Sequence, residues 1–437
     1  MPFTQRGWTV PLCVACVAFA ALGVRAAGQS TAADRTARAA SLVDSCRSRF
    51  ERDDLKGAVT AARQAAAIDP ANGEAALCLG VALVMLGVNA EAVAPLERVV
   101  AAQPDNPDAM FALAKAYASL EDPRAEGMLQ RLMAQRPADL DVRLAFVEYL
   151  WDQGQNQRGN EEVERILAGA RGRPDVRVTY ATELLRQWQF ERAARQLEQA
   201  QAEGVKTYEV AYLLGNAWWE AGDIDRAVHG FSNAIAMDPS VARAQHGLGR
   251  LLLWLGRPAD AVPHLEKAAA AAPESSATVL DLGRGYESAN RLPDAERAYR
   301  KARSLEPSLS PIHYALGRLL KRMGKNSEAA AALGKYQQLY EAEQQRRFSE
   351  TSHRAELDSA ERDLRHGDAA AALAKFERIG NTPDALIGRA KALSWLNRHA
   401  EAVQVLERVR LLAPKDQRVE YLLARARAAK GPGAPKR

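Results

Sequence analysis

Tyr208-Glu-Val-Ala-Tyr212-Leu-Leu214-Gly215-Asn216-Ala-Trp218-Trp219-Glu-Ala-Gly222-Asp223-Ile-Asp-Arg-Ala227-Val-His-Gly-Phe231-Ser-Asn-Ala234-Ile-Ala-Met-Asp238-Pro239 reads as two helices and the turn between them. Ala211, Leu214, Gly215 and Trp218 fall at i, i+3, i+4 and i+7, one face of a helix. Gly222-Asp223 stops that helix and caps the next, because glycine tolerates left-handed backbone and aspartate accepts from free helical N–H groups. Ala227, Phe231 and Ala234 mark the buried face of the second helix. Pro239 closes the pair, since the residue before a proline is pushed out of helical geometry.

The same unit recurs outward in both directions. Ala193, Ala227, Ala261, Ala295 and Ala329 stand 34 apart, as do Gly215, Gly249, Gly283 and Gly317, and Pro239, Pro273 and Pro307. Pro70 and Pro104, and Ala58 and Ala92, keep that spacing nearer the amino terminus. A fixed period of this length marks a solenoid of helix pairs. The pattern resembles the tetratricopeptide repeat, carried by Leu79-Gly80, Leu214-Gly215, Leu248-Gly249, Leu282-Gly283 and Leu316-Gly317 with the following Ala and Pro positions. About eleven units are expected over residues 34 to 414. The resemblance implies an all-α, right-handed superhelix of antiparallel helix pairs that binds peptides or protein segments on its concave face.

The expected layout is a signal peptide over 1–26, units 1 to 4 beginning at 34–151, and an irregular hinge with the second helix of unit 4 over 152–174. Units 5 to 9 follow at 175–341, units 10 and 11 at 342–414, a capping helix at 415–430 and a disordered tail at 431–437. Near 336–366 the closing proline is missing, and a helix is expected to overrun its unit by two or three turns.

The first residues carry Arg6, then an apolar run from Trp8 to Val24, then Val24-Arg25-Ala26, which suits signal cleavage after Ala26. The chain is therefore expected to be exported, periplasmic or secreted. An uncleaved membrane anchor is the alternative, although Pro11 interrupts the run and its length is at the short limit for a span. Cleavage would lower the formal charge from +5 to +3 and leave two of the four cysteines, Cys46 and Cys78. In an oxidising compartment these two could form a disulfide; otherwise they are small buried hydrophobes.

With 59 basic and 54 acidic residues in 437, the charge is close to balanced, which disfavours nucleic acid. The seven histidines show no i, i+4 pair, and no phosphate loop or Gly-x-Ser-x-Gly occurs. The chain is expected to be no enzyme and to need no cofactor or metal; a small-ligand binder or enzyme is the minor alternative.

Carried over from the resemblance, the first helices of the central units expose a groove formed by Tyr212, Asn216, Trp219, His246, Arg250, Arg284, Tyr314, Arg318 and Lys321. Asn216, Arg250, Arg284 and Arg318 are each 34 apart and should stack as a basic column. Such a column suits an acidic partner or a free carboxylate, because guanidinium binds carboxylates bidentately. The arginines could instead be solvated, or pair with Asp281 or Glu287 of neighbouring units. The family's carboxylate clamp is matched only by Asn216, which argues against a chaperone-tail co-receptor. In the first three units the equivalent face carries Val43, Leu77, Val81, Val84, Met85 and Phe111, read as core in preference to an exposed partner surface.

Overall fold

The computed structural model describes residues 32–169 and 173–429. The expected signal segment 1–26, the tail 431–437 and part of the expected hinge lie outside the described residues. Among the described residues there are helices and turns and no strand.

Helices come in pairs, a first and a second helix per unit. They are α1 (Ala32–Glu51) with α2 (Leu55–Ile68), α3 (Gly73–Met85) with α4 (Asn89–Ala102), α5 (Pro107–Ser119) with α6 (Arg124–Gln135), and α7 (Leu140–Asp152) with α8 (Asn156–Gly169). Next come α9 (Pro174–Arg186) with α10 (Phe190–Ala202), α11 (Tyr208–Glu220) with α12 (Ile224–Met237), and α13 (Ala242–Trp254) with α14 (Pro258–Ala271). Then follow α15 (Ser276–Ser288) with α16 (Leu292–Leu305), α17 (Ser310–Arg322) with α18 (Asn326–Arg365), then α19 (Ala369–Ile379), α20 (Pro383–Trp395) with α21 (His399–Leu412), and α22 (Gln417–Ala429).

Each turn inside a pair bends through one left-handed residue. These are Asp53, Gly87, Glu121, Gly154, Trp188, Gly222, Gly256, Asn290, Gly324, Gly367 and Asn397, with φ between 55° and 85°. Glycine reaches that region without steric cost, whereas a side chain costs of order 1 kcal/mol there. The residue after it often caps the next helix: Asp223 accepts from the Arg226 N–H at 3.0 Å and starts α12.

The pairs close over small residues, which is how so few aromatics suffice. The alanines of the 34-residue series, Ala193, Ala227, Ala261 and Ala295, are fully buried and Ala329 nearly so. A Cβ on Gly283 would stand 2.4 Å from the ring of buried Tyr299, so that position admits no larger residue without displacement.

The described residues divide into two compact bodies, one within 163–352 and one formed by 32–162 with 353–429. In the first body the units follow one another with alanine, leucine and single large second-helix residues such as Phe231 and Tyr299 in the core. In the second body the core of α2 to α7 also takes in Tyr421 and Leu422 of α22.

Three readings of the sequence are modified. The overrunning helix is longer than two or three extra turns: α18 continues for 40 residues and serves as the first helix of unit 10 as well. No Gly or Pro occurs from Lys335 to Arg365 to stop it. Its exposed middle is braced by one-turn ion pairs such as Arg347–Glu343 at 2.6 Å and Arg354–Asp358 at 3.2 Å. Within the stretch 152–174, α8 is regular. Gly159 replaces the usual alanine because Trp151 lies over it, with Trp151 Nε1 donating to Asn160 at 3.0 Å. The capping helix α22 does not turn its whole polar face to water. Gln417 Nε2 donates to the Gly87 carbonyl at 2.6 Å, and Arg425 Nη1 donates to Asp122 at 2.8 Å. The apolar face of the first units is mostly core: Val43 is buried with Ala65 and Ala75, and Leu77, Val81, Val84 and Phe111 pack, half-buried, on the larger cluster of α2 to α7.

Cys46 of α1 and Cys78 of α3 form a disulfide, with Cα atoms 6.7 Å apart.

Candidate functional site

The basic column is built on the ninth residue of four successive first helices. Asn216 on α11, Arg250 on α13, Arg284 on α15 and Arg318 on α17 occupy equivalent places because the helices are equal in length and 34 residues apart. The three arginine side chains are 50%, 50% and 58% exposed, so each keeps an open face.

Their inner faces are taken by two carboxylates. Asp281, nearly buried, gathers three groups: Arg284 Nη1 lies 2.8 Å from Oδ1, His246 Nε2 2.8 Å from Oδ2, and Arg250 Nε 3.4 Å from Oδ2. Asp281 occupies the sixth helical place, where the neighbouring units have Leu213, Gly247 and Ala315. Burial works against its charged form. The His246 hydrogen bond and the Arg284, His246 and Arg250 charges outweigh that and hold its carboxyl below the ordinary value. Glu287 accepts from the Tyr299 hydroxyl at 2.7 Å and from Arg318 Nη2 at 2.9 Å.

Aromatic rings support the column. The Arg250 guanidinium lies 4.7 Å from the Trp219 ring centre, and that of Arg318 5.9 Å from Tyr314. Lys321 is exposed one turn beyond Arg318 on α17. Thus His246, Arg250, Arg284 and Trp219 are drawn into one cluster, while Arg318 and Tyr314 form a second around Glu287. Asn216 and Tyr212 sit half-buried at the other end.

Two contributions escaped the first-helix pattern. Arg243 stacks on Tyr212 at 5.2 Å. Tyr336 and Tyr340 of α18 extend the aromatic line from Tyr314, with ring centres 5.1 and 5.6 Å apart in turn. The tyrosines lie on a second helix, so the 34-residue register of the first helices could not flag them.

What the arrangement offers is paired guanidinium groups half-open to solvent beside exposed rings, with basic charge in excess over Asp281 and Glu287. Arginines already oriented by buried carboxylates lose less freedom when they bind a further carboxylate. Among the described residues no helix is long and apolar enough to cross a membrane. Among the same residues no group of three or more His, Cys, Asp or Glu is placed to hold a metal ion.

Family profiles for the tetratricopeptide repeat match residues 46–107, 86–127, 178–230 and 212–276, and, with a second profile, 363–426. Together these windows take in more than half of the chain, which belongs to the tetratricopeptide repeat family. Repeats of this family are protein-interaction modules, so the chain is built as a protein-binding scaffold, and such proteins are generally not enzymes. Matching solved structures include an RS-1 MamA double mutant and MamA from residue 41 onward of Desulfovibrio magneticus RS-1. Each is 27% identical, covering 39% of this chain and 96% of that one, at a TM-score of 0.37. A further MamA crystal structure is 20% identical over 38% of this chain and 96% of that one, at a TM-score of 0.36. No curated protein matched the sequence.

Proposed function

We propose that this scaffold works in the cell envelope and binds an acidic protein segment, or one with a free carboxyl terminus, along the first helices α11, α13, α15 and α17. The observation that carries the reading is the half-open arginine column, with Arg250 and Arg284 oriented by Asp281 and Arg318 by Glu287. A partner carboxylate would take the outer N–H groups of these arginines, and its apolar side chains would rest on Trp219 and Tyr314. No bond is made or broken.

Export is supported by the apolar segment before Ala26 and by the Cys46–Cys78 disulfide, a bond characteristic of oxidising compartments. Should the segment remain attached, the same scaffold would be tethered to a membrane, as a component of an assembly, secretion or polysaccharide export machinery. Amino-terminal sequencing of the protein recovered from cells separates the two: a start at Ala27 supports export with cleavage, and a start at Met1 or Pro2 supports the tether.

The binding reading is tested by fluorescence anisotropy with a labelled peptide of alternating Asp and Leu ending in a free carboxylate. Replacing Arg250 and Arg318 together by Gln should weaken binding at least tenfold and flatten its salt dependence. Equal affinity for both proteins would sink the column as a binding surface. Glutamine is preferable to glutamate here, because a new carboxylate beside Asp281 would disturb the fold itself.

A further inference from the structure

A second kind of contact recurs at the turn edge of the array. Three times, an aromatic residue late in a first helix donates to a glutamate 20 residues earlier, and an arginine stacks on its ring. Tyr117 donates to Glu97 at 2.6 Å beneath Arg124, Trp218 to Glu198 at 3.1 Å beneath Arg226, and Tyr286 to Glu266 at 2.8 Å beneath Arg291. The arrangement ties each unit to the one before it.

At two of these turns the left-handed residue is followed by an aspartate that holds the stacked arginine. Asp122 accepts from the backbone N–H and the Nε of Arg124 at 2.9 and 3.0 Å. Asp223 accepts from the same two groups of Arg226 at 3.0 and 2.6 Å. The two sites share these contacts, although the arginine stands two residues after Asp122 and three after Asp223, and they differ in what covers the carboxylate. At Asp122 a helix is seated: Tyr421 of α22 donates its hydroxyl to the carboxylate and accepts from Arg124 at 2.7 Å, and Arg425, one turn on, donates to the same oxygen at 2.8 Å. The Asp122 side chain is 1% exposed there, whereas that of Asp223 is 32% exposed. In place of a seated helix, Asp223 faces a cleft of about 700 Å³. Four acidic residues line it, Glu191, Glu198, Asp223 and Asp225, against two basic ones, Arg195 and Arg226.

We propose that the Asp223 cleft is a docking site for a partner helix that presents a tyrosine and an arginine one turn apart on a basic face, seated as α22 is on Asp122. The tyrosine hydroxyl would donate to Asp223 and the arginine would bridge Asp223 to Glu191 or Glu198. The acidic rim selects for a basic helix by charge complementarity. This site lies at the turn edge and its chemistry is the reverse of the arginine column, so the array would hold two partners of opposite charge.

The test uses the full chain and a labelled synthetic peptide with the sequence of residues 415–429, which carries a net positive charge and both recognition residues. Anisotropy should show saturable one-to-one binding, at least tenfold weaker when the protein carries Asp223→Ala. Asp223 also caps α12, so Glu191→Lys, an exposed change that leaves the cap intact, should weaken binding as well. Tyr421→Phe and Arg425→Ala made together in the peptide should abolish it. Failure of the wild-type chain to bind overturns the proposal. Binding that ignores both Asp223→Ala and Glu191→Lys also overturns it, since the peptide would then be displacing α22 at Asp122.

Discussion

The hydroxyl of Tyr421 donates to the buried carboxylate of Asp122 across 299 residues of chain, joining the last helix to the turn of the third unit. Arg124 and Arg425 complete the cluster, and beside it Glu121 accepts from Arg418 at 2.8 Å and Lys391 at 3.1 Å. Removing the hydroxyl alone, by Tyr421→Phe, should cost about 1.5 kcal/mol, the scale of a hydrogen bond to a charged group. Hydrogen exchange in α22 should speed up while that in α11 to α17 stays unchanged. Equal acceleration in both would mean the contact does not hold the carboxyl-terminal units locally.

Acid should loosen the same junction. Burial alone would raise the carboxyls of Asp122 and Glu121. For Asp122 the hydrogen bonds from Arg124 and Tyr421 prevail, and for Glu121 the Lys391 and Arg418 charges do. Both carboxyls are held below their ordinary values of 3.8 and 4.5. A lowered carboxylate contributes stability that is fully present above the unfolded value and lost as pH falls through the folded one. Docking of α22 should therefore be intact above about pH 5 and weaken progressively below pH 4, read by limited proteolysis near residue 413 across that range.

Gly283→Ala should destabilise the central array by about 1 to 3 kcal/mol, because the new methyl meets the Tyr299 ring and that ring is fixed by its bond to Glu287. Thermal melts of the single variant check this. Gly283→Ala combined with Tyr299→Phe should recover part of the loss, since the ring is then free to shift.

Reducing the Cys46–Cys78 disulfide should lower the stability of the amino-terminal units by about 2 to 4 kcal/mol, as expected for closing a loop of this size. Melting with and without a reductant measures it, with Cys46→Ala, Cys78→Ala as the control that reductant leaves unmoved.

The helix pairs were legible in the sequence because what defines them is local: a small residue, a turn and a proline, copied at one spacing. The arginine column was legible for the same reason, as was the option of pairing it with Asp281 and Glu287. Which carboxylate each arginine takes was not, because that depends on side-chain direction between units. Asp122 and Tyr421 carry no periodic signal, and although Arg124 repeats at Arg158, Arg192 and Arg226, that spacing does not point to α22. Asp122 and Tyr421 come from units far apart in sequence, and only the folded chain brings them together. The length of α18 was half legible: the missing proline announced a longer helix, and the ion pairs one turn apart that sustain it across 40 residues emerged only with its geometry.

The row of left-handed turn residues has a practical side. Six of the eleven are glycine, and at Trp188 a bulky indole, 79% exposed, is held at φ 59° where glycine would sit without strain. Its ring touches the Phe190 edge-on, yet the backbone there remains under steric load. The array therefore retains slack: Trp188→Gly would ease one joint in the middle of the chain without altering the arginine column or the Asp223 cleft, and would give a sturdier scaffold on which both surfaces could be measured.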